Sequence, residues 1–255
     1  MPSLKFAGAA ALALALMTSA CVSEGAASLP DYAAVVADAA RPADDVARDA
    51  GRHPAAILEI TGIAPGDKVL ELEAGAGYFT ELLSRTVGPD GQVWMQNPAS
   101  FDGFLGDTVT KRLEGRLTNV TYLKSNFDAL GLPDASMDAV TWFQGPHELW
   151  YIPEGTTESL GDPEESFAEI ARVLKPGGVF IAIDHTAPAG SPPTTGGDTH
   201  RIDPALIRQM AEAAGLSFRE SSDILRNPDD DGLTNVFDPA IRGKTDQAVL
   251  VFTRP

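Results

Sequence analysis

The sequence predicts an α/β domain built on a mostly parallel sheet, and three observations carry that prediction. From Gly66 onward, short runs rich in Val, Leu and Ile alternate with stretches of helical spacing, as in a sheet covered by helices on both faces. Two helical stretches open on a capping Asp followed by proline. Two connections, 144–161 and 185–202, are longer than a turn requires, and both leave the carboxyl ends of strands, where open α/β sheets bind ligands.

Taken in chain order, the first 21 residues, MPSLKFAGAAALALALMTSAC, have one lysine, an apolar run from Phe6 to Met17 and then small residues ending at Cys21. The run is too short to span a bilayer comfortably and has no polar face, so it reads as an export signal. Thr18, Ser19, Ala20 and Cys21 resemble a bacterial lipoprotein cleavage box with Thr where Leu is usual; ordinary cleavage after Ala20 is the alternative. Residues 1–21 are therefore expected to be a signal peptide, with Cys21 as a lipid anchor that holds an exported, periplasmic protein on a bacterial membrane. Cys21 is the only cysteine, which leaves no thiol for disulfides or catalysis. Residues 22–53, rich in Ala, Asp and Arg, read as a tether and a surface helix. Pro54 suits the first turn of a short helix whose Ile57, Leu58 and Ile60 can dock on the domain expected over 54–255.

Strands are expected at Lys68 to Leu72, Gln92 to Gln96, Val120 to Lys124, Asp138 to Phe143, Val179 to Asp184, Leu216 to Glu220 and Gln247 to Thr253. Helices fall between them near Tyr78 to Val87, Ser100 to Gly115, Pro163 to Leu174 and Pro204 to Ala214. Asp162 with Glu165 three residues on, and Asp203 before Pro204, are their caps. KPGG at Lys175 to Gly178 turns a helix into a strand.

A chain of 255 residues suffices for one domain of catalytic size, and 44% hydrophobic with 22% charged residues is ordinary for a globular protein. Charge is less ordinary. With 19 Lys and Arg against 36 Asp and Glu, the net charge of −17 opposes a phosphate backbone, so nucleic acid is discounted as a partner.

Three stretches carry more specific information. VLELEAGAGYFTEL, Val69 to Leu82, runs from strand through a glycine turn into helix. LPDASMDAVTW, Leu132 to Trp142, leads into the fourth strand, and ARVLKPGGVFIAID, Ala171 to Asp184, into the fifth. In this order and spacing they resemble class I S-adenosylmethionine-dependent methyltransferases over roughly Pro54 to Pro255. The resemblance implies a Rossmann-like, doubly wound seven-stranded sheet, mostly parallel with an antiparallel last strand. It also implies S-adenosylmethionine as a methyl donor lying across the first turn, and transfer to an unidentified small molecule. It assigns Glu71 to the donor's amino group and Gly75 and Gly77 to the turn beneath the donor. Asn97 takes the place of an acid that usually grips the ribose, and Asn126 that of an Asp at the adenine. Glu73 stands where the family has a glycine, so its side chain must point away from the pocket or fill part of it. A non-catalytic binding protein with a degenerate donor site on the same fold is the alternative. A dinucleotide site fits less well, because GAGYFT lacks the third glycine and no acid follows about twenty residues on.

Methyl transfer from a sulfonium is an in-line displacement, so the protein mainly aligns the partners and removes a proton. His147 and His185 leave strand ends beside the expected methyl position and are the candidate proton acceptors. Glu148, Trp150 and Tyr151 offer a base and an aromatic wall, and Asp184 can orient His185. His147, Glu148, Asp184, His185 and His200 are metal-ligating types, but their spacing does not demand a metal and none is assigned. NPDDDGLTNVFD, Asn227 to Asp238, has calcium-loop spacing with Asp in place of the final Glu and no flanking helix pair, so a solvated acidic loop is expected.

Overall fold

The computed structural model describes residues 1–3 and 29–255; the apolar run and Cys21 lie outside the described residues. Four short helices come first: α1 (Tyr32–Val36), α2 (Ala43–Val46), α3 (Asp49–Arg52) and α4 (Pro54–Thr61). The chain then enters β1 (Lys68–Leu72), α5 (Tyr78–Val87), β2 (Gln92–Asn97), α6 (Asp102–Leu105), α7 (Thr108–Leu113), β3 (Val120–Lys124) and β4 (Met137–Phe143). After it come α8 (Pro163–Val173), β5 (Leu174–His185), α9 (Thr195–Thr199), α10 (Pro204–Ala213), β6 (Ser217–Ser222) and β7 (Gln247–Thr253).

The strands form one seven-stranded sheet in the order β3-β2-β1-β4-β5-β7-β6. β1 pairs in parallel with both β2 and β4, while β7 is antiparallel to β5 and β6. This is the doubly wound α/β sheet with an antiparallel last strand that the sequence predicts. Because the chain leaves β1 in one direction and returns to β4 on its other side, a crevice opens beyond the carboxyl ends of these two strands.

Helices cover both faces of the central strands. On one, Ile57 and Leu58 of α4 and Leu82, Leu83 and Val87 of α5 pack on Val69, Val93 and Val249. On the other, Phe167 and Ile170 of α8 and Ile207 and Ala211 of α10 cover Leu70, Trp142, Phe180 and Phe252. Each such side chain, fully buried, contributes about 1.5–3 kcal/mol. The caps form as expected, with Asp162 accepting from the Glu165 amide at 3.0 Å and Asp203 from the Ala205 amide at 2.9 Å.

Four local expectations are corrected. The helix expected over 100–115 is broken into a 3-10 turn, α6 and α7, because Gly106 takes a left-handed φ of 54° between them. β5 begins five residues earlier than expected, at Leu174, so KPGG lies inside it, and Leu174 pairs with Met137 across a bulge. The stretch expected to be a tether and a surface helix forms three short helices from Tyr32 to Arg52, and these are packed on the domain. Tyr32 joins the core, and the bidentate Arg41–Asp49 pair, with both contacts at 2.8 Å, is tied in turn to the Tyr78 hydroxyl at 2.7 Å from Asp49. The acidic loop is not wholly solvated either. Asp230 forms a buried bidentate pair with Arg201 at 2.8 and 2.9 Å, fastening residues 227–238 to the loop after β5.

Candidate active site

The turn after β1 is held in an unusual backbone shape. Glu73, Gly75 and Gly77 all have left-handed φ, at 51°, 56° and 84°, a region that glycine enters freely and glutamate only under strain of about 1 kcal/mol or more. Two buried amides at the end of β2 clamp that shape. Gln96 accepts from the Glu73 amide at 2.9 Å, and Asn97 accepts from the Gly75 amide at 2.8 Å while donating to the Gly75 carbonyl at 3.0 Å. Asn97 thus spends both polar atoms on the turn. The space beside Gly75 is open, with nothing within 4 Å of where a Cβ would stand.

Glu71, the penultimate residue of β1, is buried and accepts a hydrogen bond from the Thr80 hydroxyl. Burial raises its pKa to about 8, against the opposing pull of that hydrogen bond and of Arg112 and Arg52, so the carboxyl is largely protonated at neutral pH. Glu73 points neither outward nor over the glycine turn. It leans towards the end of β4, where Oε2 accepts from Trp142 Nε1 at 2.9 Å. Burial, then the Glu148 carboxylate, push Glu73 well above the usual carboxylate range. Gly145 makes room for this contact, since a Cβ there would stand 2.1 Å from Glu73 Oε2 and 2.2 Å from Trp142 Nε1.

Beyond β4 the chain makes a 3-10 turn, Pro146–Trp150, and beyond β5 it makes α9; the two press together. Gly196 and Gly197 permit that approach, because a Cβ on either would lie 2.4 Å from the His147 carbonyl oxygen or 2.6 Å from that of Trp150. His147, Glu148 and His200 are thereby gathered in one cluster beside Asp184. His147 Nδ1 lies 2.7 Å from Asp184 Oδ1, and the His147 amide donates to Oδ2 of the same carboxylate at 2.7 Å. Burial alone would depress His147, but Asp184 and then Glu148 outweigh it and hold its pKa up to about 10. Burial would raise Glu148, but hydrogen bonds from His147 and His200 bring it down to about 2.

His185 behaves in the opposite way. Burial lowers its pKa to about 4, so it is a neutral imidazole with Nδ1 at 2.7 Å from the Thr245 hydroxyl. It lines a cleft of about 560 Å³ whose walls also include Arg48, Arg52, Gln144, Phe237 and Arg242. Arg52 donates to Gln144 at 3.2 Å, and burial lowers its pKa only to about 10, which leaves it charged. Among the described residues no carboxylate lines the cleft.

Of the residues singled out from sequence, Glu71, Gly75, Gly77 and Asn97 therefore come together at the turn, His147 lies in the buried cluster and His185 in the cleft wall. Asn126 is exposed on the loop after β3. Gln96, Trp142 and the cleft arginines escaped the sequence reading. Gln96 sits in an unremarkable strand end, and the arginines come from segments far apart in the chain; only the pair Arg48 and Arg52, at helical spacing, left a signal.

Residues 70–182 match the family described as Methyltransferase domain. The ubiquinone/menaquinone biosynthesis C-methyltransferase UbiE of Cronobacter sakazakii is 28% identical over 192 residues, covering 72% of this chain and 69% of that protein. Its counterpart from Shewanella halifaxensis is 31% identical over 137 residues, 51% of this chain and 47% of that one. Among solved structures, a SAM dependent methyltransferase from Aquifex aeolicus superposes with a TM-score of 0.56 at 22% identity, covering 78% of this chain and 88% of that one. A putative sarcosine dimethylglycine methyltransferase from Galdieria sulphuraria gives 0.58 at 19% identity, with coverage of 83% and 87%. The sheet has the fold of the S-adenosylmethionine-dependent methyltransferases on which it superposes, and residues 70–182 are similar to a methyltransferase domain, whose cofactor is S-adenosylmethionine. The turn suits that cofactor in shape, with open space beside Gly75 and Glu73 folded towards β4. It departs in charge, since Asn97 is committed to the turn backbone.

Proposed function

We propose that this protein binds S-adenosylmethionine across the Glu71 to Gly77 turn and methylates a small anionic molecule held in the arginine-lined cleft. The observation that carries this reading is the cleft itself: in a chain of net charge −17, Arg48, Arg52 and Arg242 line it with no carboxylate among the described lining residues. The donor supplies an electrophilic methyl group when bound. Glu71 would hold the donor's ammonium and lose its proton to solvent in doing so, and the Gly75 and Gly77 backbone would let the donor approach closely, which their left-handed φ supports. Arg48 and Arg52 orient the anionic acceptor, and the neutral His185 imidazole on the same wall takes the proton that methylation releases. His147, hydrogen-bonded on both ring nitrogens, is the poorer acceptor of the two. The reading includes export and a lipid anchor at Cys21, supported by the pattern of residues 1–21.

A second reading, a binding protein without transferase activity, is favoured by one observation: both polar atoms of the Asn97 side chain are taken up by Gly75. Incubation with methyl-labelled S-adenosylmethionine and an anion-exchange fraction of bacterial small molecules distinguishes the two. Wild type should transfer label to an anionic product and Arg52→Gln at least tenfold less; label in no product, or equal labelling by both proteins, contradicts the transferase reading.

A further inference from the structure

Glu148 Oε2 is buried and has no hydrogen-bond partner among the described residues, an uncommon condition for a carboxylate. Its other oxygen stands 3.2 Å from His200 Nδ1 and 3.4 Å from His147 Nε2, and the two nitrogens are 3.1 Å apart. Three groups that can ligate a cation, His147 once its Nε2 proton is displaced, thus surround one point. Atoms bound at about 2.0–2.1 Å to a tetrahedral zinc ion stand about 3.3 Å from one another, so the triangle already has the spacing of three tetrahedral ligands. We propose that His147 Nε2, Glu148 Oε1 and His200 Nδ1 form a three-ligand site for a divalent transition-metal cation of zinc-like character, with the fourth position open.

The surroundings are those that such a site needs. Asp184 lies 2.7 Å from His147 Nδ1 and also accepts from the His147 and His185 amides, each at 2.7 Å. A carboxylate so fixed keeps the proton on Nδ1, so the proton that a cation displaces from the ring is the one on Nε2. The rings of Tyr151 and Phe237 pack on His200 with centroids 5.2 and 4.8 Å away, giving the cluster an apolar side. His200 itself is held at φ 55°, a left-handed conformation, at the end of a helix that reaches the cluster only because Gly196 and Gly197 lack side chains. Protons shared along the triangle's edges explain the three contacts but leave Oε2 without a donor. A cation held at Oε1 accounts for the triangle, and the free Oε2 lone pairs can meet the same cation if the carboxylate binds it through both oxygens. Two imidazoles and one carboxylate favour Zn²⁺ or Co²⁺ over Ca²⁺ or Mg²⁺, which prefer all-oxygen shells. Phe237 and His185, whose ring centroid is 6.1 Å from that of His147, also line the cleft, which sets the site beside it. The inference does not depend on donor binding.

Cobalt reports both stoichiometry and geometry. Untagged protein treated with a chelator and dialysed should take up one equivalent of Co²⁺ with the intense visible bands of four-coordinate cobalt. Zn²⁺ should displace it and excess Mg²⁺ should not. Glu148→Gln, which keeps the side-chain volume, and His200→Ala should each weaken uptake at least a hundredfold with an unchanged far-ultraviolet circular dichroism spectrum. Sub-stoichiometric uptake by wild type, or equal uptake by wild type and a folded variant, overturns the proposal. The wild-type titration decides the matter even if a variant fails to fold.

Discussion

Glu73 is the residue that breaks the family's turn pattern, and its consequence depends on where the side chain goes. It adopts the strained backbone that glycine would take freely, then folds towards β4 and accepts from Trp142 in a space that Gly145 leaves open. The carboxyl therefore meets an indole instead of a sulfonium, and the turn beside Gly75 stays clear. Glu71 offers the sharper test. Its pKa rises from about 4.5 in an unfolded chain to about 8 in the fold, so the folded state binds the proton more tightly. The stability this confers is complete below pH 4.5 and falls as pH rises to about 8, by up to about 1.4 kcal/mol per pH unit. Glu71→Gln retains an acceptor for Thr80 and has no such proton. Urea denaturation between pH 5 and 9 should show the stability of wild type relative to this variant falling up to about pH 8 and then levelling. A difference that does not vary with pH would mean that Glu71 is ionised throughout.

At the scale of elements, the sheet was legible because its strands are continuous apolar runs, and the caps at Asp162 and Asp203 were legible because they act locally. Elements whose shape depends on tertiary contact were not. Residues 100–115 have helical spacing, but Gly106 divides them. Residues 32–52 look too polar to belong to a core, yet Tyr32 is buried and the charges of Arg41, Asp45 and Asp49 are satisfied by one another or by Tyr78 and Arg112. The same limit applied to the site. The glycine turn is contiguous and was readable, whereas the His147, Glu148 and His200 triangle requires two loops to meet across Gly196 and Gly197. Asp49 holds the N-terminal helices in place, and with them Arg48 and Arg52 in the cleft wall. Asp49→Ala leaves the Arg41 guanidinium buried without its carboxylate and should cost about 3 kcal/mol in denaturant unfolding, with proteolysis accelerated within residues 29–53. A loss below about 1 kcal/mol with unchanged cleavage would show that these helices are held by other contacts.

At the scale of the whole molecule, a cationic cleft set in a strongly acidic protein favours entry of small anions over polyanions, whose many charges meet the acidic surface as well. Among the described residues no helix is long and apolar enough to cross a membrane; the proposed attachment is through Cys21. Cell fractionation should find wild type with membranes and Cys21→Ala soluble or unprocessed; a full-length wild type in the cytosol contradicts export. The central claim, that the turn from Glu71 to Gly77 is a donor site, is tested most directly by calorimetric titration of the wild-type protein with S-adenosylhomocysteine. The account predicts one site with a dissociation constant in the micromolar range. No detectable binding at millimolar ligand would contradict it.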